Sequence, residues 1–481
     1  MKRRTFLKTS CAALGLAVLG ENVFLPQPVL SAGDYQPFTT PLPVPPLLEN
    51  LSTDPGTASF SLTAQRGKSR LVKEFLTPTM GYNGNYLGPT IRVRNGQKVH
   101  LNVLNKLDQQ TTLHWHGLHV PAEFDGGPRQ PIAPGTSWQP KFTINQQAAT
   151  LWYHPHAMGL TGEHVYMGLA GLFYIEDEVA DSLAIPKTYG VDDFPLIIQD
   201  RRFFQDGTLA YVQSMMDVMH GLIGNILLVN GTEWPVLEVP GGLVRLRLLN
   251  GSNSTIYRIG FGDGRRFLQI ATDGGFLEQP VGLTEVLLSP GERAEILVDF
   301  SGDTKGNGPG LVVDQLPGGR HEAMRFQVGP APSTSFALPE KLVTLDWLQE
   351  KDAVQTRTFS METFSQSGPL AINGKHMDMN RIDEKVKLGT TEIWEISNLS
   401  TGMMQMPHSM HLHDVQFQVL DRNGQPPEPQ ERGRKDTVLI LPGEKVRIIA
   451  RFEDYTGIYM YHCHLLEHED RGMMGQFEVV E

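Results

Sequence analysis

Apolar and polar residues alternate along this chain in short stretches, with little sign of helical spacing. Residues 99–103, 244–248 and 392–396 each run with period two, the pattern of a half-buried strand. Each stretch sits in a longer strand-like segment ending on asparagine: 88–105, 235–250 and 385–398. A second echo follows every time. Pro134-Gly135 precedes residues 138–144, Pro290-Gly291 precedes 294–300, and Pro442-Gly443 precedes 446–452. A Pro-Gly turn feeding a strand, at similar distance after the first echo, predicts three copies of one β-rich unit. Strands of this length and spacing suit Greek-key β-sandwiches. The expected units are 45–178, 190–330 and 338–481, with linkers at 181–191 and 329–334.

Composition agrees with this picture. A chain of 481 residues is long enough for about three domains of roughly 150 residues, each able to bury its own core. The 49 glycines and 33 prolines favour turns and short strands. The formal net charge of −12, without a basic tract beyond the N-terminus, argues against nucleic acid as a partner. Paired Arg3-Arg4 ahead of an apolar run at 11–20 resembles a twin-arginine export signal. That run is too short to span a bilayer, and Leu30-Ser31-Ala32 offers small residues for cleavage. The expected signal is therefore 1–32, with a mature start near Gly33, a periplasmic location and no stable membrane insertion; a retained anchor is the alternative. Of the two cysteines, Cys11 lies in the signal, so the mature protein keeps Cys463 alone and forms no internal disulfide. Metal binding would remove the liability of a lone thiol in an oxidising compartment.

Ten of the 16 histidines fall into four clusters: His114-Trp115-His116, His154-Pro155-His156, His408-Ser409-Met410-His411-Leu412-His413, and His462-Cys463-His464 with His468 and Met473 close behind. Residues two apart on a strand share a face. The pairs 114/116, 154/156, 411/413 and 462/464 can therefore converge eight imidazoles. Only the first and third units carry them, so a metal site is expected between those units, with the second as a spacer. Cys463 faces away from His462 and His464. With His408, His468 and Met473 it makes the His₂Cys set with a weak axial methionine that suits an electron-transfer copper; zinc fits this set less well.

These motifs resemble those of the multicopper oxidase family, over nearly all of the mature sequence. The resemblance implies three cupredoxin-like Greek-key β-sandwich domains, an all-β fold, and four copper ions. It places a type 1 copper on His408, Cys463, His468 and Met473, and a type 2 copper on His114 and His411. One type 3 copper falls to His116, His154 and His464, the other to His156, His413 and His462. It further implies that electrons enter near His408 or His468, pass from Cys463 to His462 and His464, and reduce dioxygen to water. Asp125 and Glu467 resemble the family's two acids near the three-copper cluster, as proton relays or as groups that orient ligands. Within the family, residues 81–85, 167–171, 372–374, 435–438 and 462–474 are most similar to the bacterial copper efflux oxidases, which oxidise Cu(I) and also accept phenols. Asp436, and with it Met361, resembles a holder of a substrate metal ion beside the type 1 site. The long methionine-rich insertion of those enzymes is missing here. Met403, Met404, Met406 and Met410, or Met215, Met216 and Met219, could compensate; core filling is the other reading. A role in copper tolerance follows, with a Cu(I) or phenolic donor and a monomeric chain. The alternatives are a laccase-like oxidase of organic substrates, a copper store, and a non-catalytic scaffold of cell division, which some relatives are. His100, His119, His164, His220, His321 and His376 are expected at the surface or in hydrogen bonds.

Overall fold

A computed structural model describes residues 37–332, 336, 338, 340–400 and 405–481. The expected export signal with Cys11, and Met403 and Met404, lie outside the described residues. Among the described residues the strands form six sheets, two in each third of the chain. In the first third, Thr57–Ser69, Thr77–Tyr82, Lys98–Asn105 and Ser137–Trp138 form one sheet; Ile91–Arg94, Gly171–Glu176, Ala149–His154 and His114–His116 form the other. Phe60, Leu62, Val99, Leu101, Val103, Trp115, Leu151 and Phe173 fill the core of this third. The period-two pattern survives as alternating burial along Lys98–Asn105.

The three-fold echo is a repeated topology. Lys98–Asn105 runs parallel to Thr57–Ser69, Leu243–Asn250 to Asp193–Arg201, and Thr390–Asn398 to Ala353–Ser365. Each is then antiparallel to the strand beyond its Pro-Gly turn. Parallel neighbours need crossover connections, which is how the chain moves between the two layers of a sandwich. The terminal asparagines explain the punctuation. Asn105, Asn250 and Asn398 are buried. The side-chain carbonyl of each accepts from the backbone two residues on. The side-chain amide donates to two carbonyls of the following loops. The backbone carbonyl receives the N–H of the turn glycine, at Gly135, Gly291 and Gly443. One short polar side chain thus closes three loop ends whose backbone groups would otherwise be buried unpaired.

The units share surfaces. Thr40–Pro41, at the beginning of the described chain, pairs with Pro235–Val239 in the middle third. Pro290 and Gly291, the turn of the middle third, reach the histidines of the other two. A Cβ on Gly291 (φ +87°) would lie 3.1 Å from His464 and 3.2 Å from His116. Only glycine tolerates both the backbone conformation and the approach.

Candidate metal centre

Strand pairing brings the histidines of each unit together. His114–His116 lies antiparallel to Ala149–His154, with His114 opposite His154. His408–Leu412 lies antiparallel to Gly457–Cys463, with His411 opposite His462 and Met410 opposite Cys463. Alternation then sorts the side chains. Trp115 turns into the core against Trp138, Phe142 and Phe173, while its two flanking histidines face the seam between first and third units.

Across that seam the histidines meet. The rings of His116 and His411 stack at 3.7 Å and those of His114 and His413 at 3.8 Å. The Nε2 atoms of His156 and His462 lie 3.1 Å apart, and those of His413 and His462 3.2 Å apart. All eight imidazoles are buried. Burial drives His116, His154, His156, His411, His462 and His464 well below the usual histidine range, helped by repulsion among neighbouring rings. His413 falls to about 4 from the same burial, partly offset by Asp125. Neutral imidazole is the metal-binding form.

The donor pattern fits a metal cluster. His114 donates Nδ1–H to the Asp125 carbonyl at 2.9 Å, His154 to the Pro155 carbonyl at 2.7 Å, and His411 to the Asp436 carbonyl at 2.8 Å. Their Nε2 atoms are left buried without a partner, as are Nδ1 of His116 and both nitrogens of His464. Buried polar atoms without partners are rare and costly; here they gather at one seam. Nδ1 of His462 is turned to the Cys463 carbonyl and Nδ1 of His413 to Asp125, so the Nε2 atoms facing one another are lone pairs, an arrangement that a cation relieves.

A second group forms on the opposite strand face. Cys463 Sγ lies 3.6 Å from His408 Nδ1 and 3.7 Å from His468 Nδ1. Cys463, His408, His468 and Met473 are all fully buried. Burial pushes the Cys463 thiol up to about 12, so only a bound cation would make it a thiolate at neutral pH. Nε2 of His408 meets the Thr363 hydroxyl at 3.2 Å, and Nε2 of His468 donates to the Met219 carbonyl at 3.3 Å. Neither ring edge reaches solvent.

Three sequence expectations are corrected. Glu467 does not face the histidines. It turns to the middle unit, taking Asn253 Nδ2 at 2.8 Å, the Leu222 N–H at 3.2 Å and the Ser254 hydroxyl. The acid at the cluster is Glu469, two residues on, whose oxygens lie 3.2 Å from Nδ1 of His156 and of His462; these are contacts without hydrogen-bond alignment, since Glu469 Oε2 has no partner. Asp436 is not beside the Cys463 group. It is fully buried, bonded to His116 Nε2 at 2.9 Å and to Arg293, with no route to a solvent ion. Met361 is also fully buried, in the apolar core of the third unit. Asp125 lies where expected, with Oδ2 2.8 Å from His413 Nδ1. Burial alone would raise its carboxyl, but His413 and His114 hold it well below the usual range. Glu469 goes the other way, raised well above it by burial and then by Asp470. Two acids flanking the histidine cluster are thus shifted in opposite directions.

The remaining candidates scatter. Met410 is core. Met219 is buried, while Met215 and Met216 on the same short helix, Met215–Met219, are 65% and 55% exposed. His100 and His321 are exposed and His220 partly so; His119 bonds Asp454, His164 bonds Gln109, and His376 bonds the Pro369 carbonyl.

Comparison with known proteins gives a consistent result. Two family models, both described as multicopper oxidase, match residues 63–180 and 348–481. The chain is 39% identical to "Multicopper oxidase mco" of Staphylococcus aureus, covering 91% of this chain and 92% of that protein. It is 37% identical to "Cell division protein FtsP" of Escherichia coli, covering 100% and 99%. Among solved structures it is similar to the laccase-like multi-copper oxidase CueO of Ochrobactrum sp., described as having oxidase activity towards lignin model compounds and lignosulfonate. The TM-score is 0.84 at 38% identity, covering 92% and 100%.

Proposed function

From the premise that this chain belongs to the multicopper oxidase family, copper-dependent oxidoreductases with dioxygen as acceptor, we propose that it oxidises Cu(I), and phenols less readily, as a periplasmic enzyme of copper tolerance. The family carries four coppers, which supply one-electron acceptance from a donor and the four-electron reduction of dioxygen to water. In our reading His408, Cys463 and His468, with Met473, hold the type 1 ion, and His114 and His411 the type 2 ion. His116, His154 and His464 hold one type 3 ion, and His156, His413 and His462 the other.

The residues around these ligands carry the rest of the chemistry. Asp125, as an anion, holds the ring of His413 through Nδ1 and so directs its Nε2 inward. Glu469, its carboxyl raised by burial, is the group placed to hold a proton beside His156 and His462, where dioxygen reduction consumes protons. Cys463 is covalently joined to both His462 and His464, a short path between the two groups of ligands.

The observation that carries the donor assignment is the cover over His468. Its outer nitrogen is bonded to the Met219 carbonyl, so an organic ring cannot touch it. The helix that supplies this carbonyl presents Met215 and Met216 to solvent, and soft thioethers suit Cu(I). Turnover of the copper-loaded protein with Cu(I) and with a dimethoxyphenol tests it. Met215→Ser/Met216→Ser should lower Cu(I) oxidation several-fold and leave phenol oxidation near wild type; equal losses would refute the docking role. The full-length likeness to FtsP favours a second reading, a scaffold of cell division. Complete ligand sets weigh against it, and a protein that stays colourless after copper loading would revive it.

A further inference from the structure

The middle unit does more than separate the other two. Arg293 begins its strand Arg293–Asp299, directly after the Pro290-Gly291 turn, and is fully buried. All five of its side-chain N–H groups are used. Nε donates to the Thr150 carbonyl of the first unit at 3.0 Å. Nη1 donates to the Gly291 carbonyl at 3.0 Å and to Asp436 Oδ1 of the third unit at 2.7 Å. Nη2 donates to the Asp273 carbonyl at 2.9 Å and to Asp436 Oδ2 at 2.6 Å. A planar guanidinium in this bidentate grip fixes the plane of a carboxylate in a way that a lysine ammonium cannot. Lys435, bonded to Asp273 at 2.9 Å and Glu292 at 3.0 Å, keeps the surrounding charges paired.

What Asp436 does with that fixed plane is specific. Oδ1 takes the Thr437 hydroxyl at 2.9 Å and Nε2 of His116 at 2.9 Å. Accepting from His116 places the ring proton on Nε2 and leaves the lone pair on Nδ1, the atom that is buried with no partner. The backbone carbonyl of Asp436 does the same for His411 from the other side, taking Nδ1–H at 2.8 Å and leaving Nε2 free. The two rings are stacked with planes 9° apart. Nδ1 of His156 and both nitrogens of His464 are also without a hydrogen bond, but among the eight imidazoles His116 is the one whose Nε2 is held by a carboxylate.

We propose that Arg293 is a positioning residue for the metal cluster: by clamping Asp436 it sets the ring orientation and tautomer of His116, so that a residue of the middle unit, itself touching no metal ligand, prepares the cavity formed by the other two. The inference rests on the copper reading above. Three full-length variants test it: Arg293→Lys, Asp436→Asn, and Arg293→Met/Asp436→Asn, which removes both charges so that neither is left buried alone. Histidine side-chain ¹⁵N spectra of the metal-free proteins report the His116 tautomer without needing copper. The expected result is a single Nε2–H form in the wild type and a mixed or switched form in all three variants. On titration with Cu(II), the variants should bind copper at the histidine cluster about 10–100-fold more weakly, with an altered type 2 EPR spectrum and an unchanged blue band from the Cys463 site. If a single variant fails to fold, the double variant decides. A double variant that keeps the wild-type tautomer and copper affinity overturns the proposal, even with a lowered melting temperature, because the network then only joins domains. A wild type with the Nε2–H tautomer but no blue band would count against the copper reading and leave the positioning of His116 standing.

Discussion

At the residue scale, two neighbouring acids separate chemistry from packing. Glu469 contacts two cluster histidines, whereas Glu467 is spent on Asn253, Ser254 and Leu222. Glu469→Gln should lower dioxygen-dependent turnover by about 10²-fold or more and flatten its pH profile. Glu467→Gln should chiefly lower the melting temperature. The reverse pattern would return the role to Glu467. A third acid tests burial alone. Glu233 sits in a pocket of about 130 Å³ lined by Arg70, Lys73 and Trp234, with Oε2 buried and unpaired, and burial raises it to about 7. An acid raised on folding binds its proton more tightly in the native state, so stability is lost as pH rises from the unfolded value towards 7. Glu233→Gln should therefore gain stability on wild type between pH 4.5 and 8, by about 1–3 kcal/mol at the upper end. Denaturant melts across that range check the sign, and a gap that shrinks with pH rules the explanation out.

At the element scale, the helix Met215–Met219 covers His468 through the Met219 carbonyl. Ser214 caps it with a complete capping box involving Asp217, and Val218 and Met219 anchor it in the same core as Cys463 and Met473. A Ser cap is worth about 1 kcal/mol. Ser214→Ala should loosen the helix, weaken the cover over His468 and raise turnover of a bulky phenol relative to Cu(I). An unchanged ratio, with the helix shown loosened by hydrogen exchange, would mean that the helix is not the barrier.

At the scale of the whole molecule, the buried imidazoles couple folding to acid. A histidine held neutral by burial binds its proton better when unfolded, so stability falls as pH drops below the ordinary histidine value of 6.5. For His413 and His468, both lowered to about 4, the loss runs from 6.5 down to about 4, at about 1.4 kcal/mol per pH unit for each group. The deeper-lying rings add to this slope. Metal-free protein should therefore lose melting temperature steeply between pH 7 and 5. Copper-loaded protein should resist at first, because protons must displace metal. Calorimetry of both forms checks this; parallel, shallow curves would mean that the histidines are not buried neutral in solution.

What could be read from the sequence alone is what strand geometry dictates locally. Alternation alone puts His114 and His116 on one face and Trp115 on the other, and sets Cys463 opposite its flanking histidines. The Pro-Gly echoes and closing asparagines are equally local, and they recur as one topology in each third of the chain. Of the two acids, Asp125 was legible and the one on the last helix was not. On the helix Leu466–Asp470 successive side chains point about 100° apart, and which one meets the histidines depends on how the units dock. The same holds for Asp436 and Met361, assigned by likeness to a substrate-metal site beside Cys463 yet buried elsewhere, and for Arg293, which no motif marks. Its partners lie 143 residues away in either direction along the chain, at Thr150 and Asp436. Backbone periodicity determines which way a ligand points; only the packing of three sandwiches decides what stands behind it.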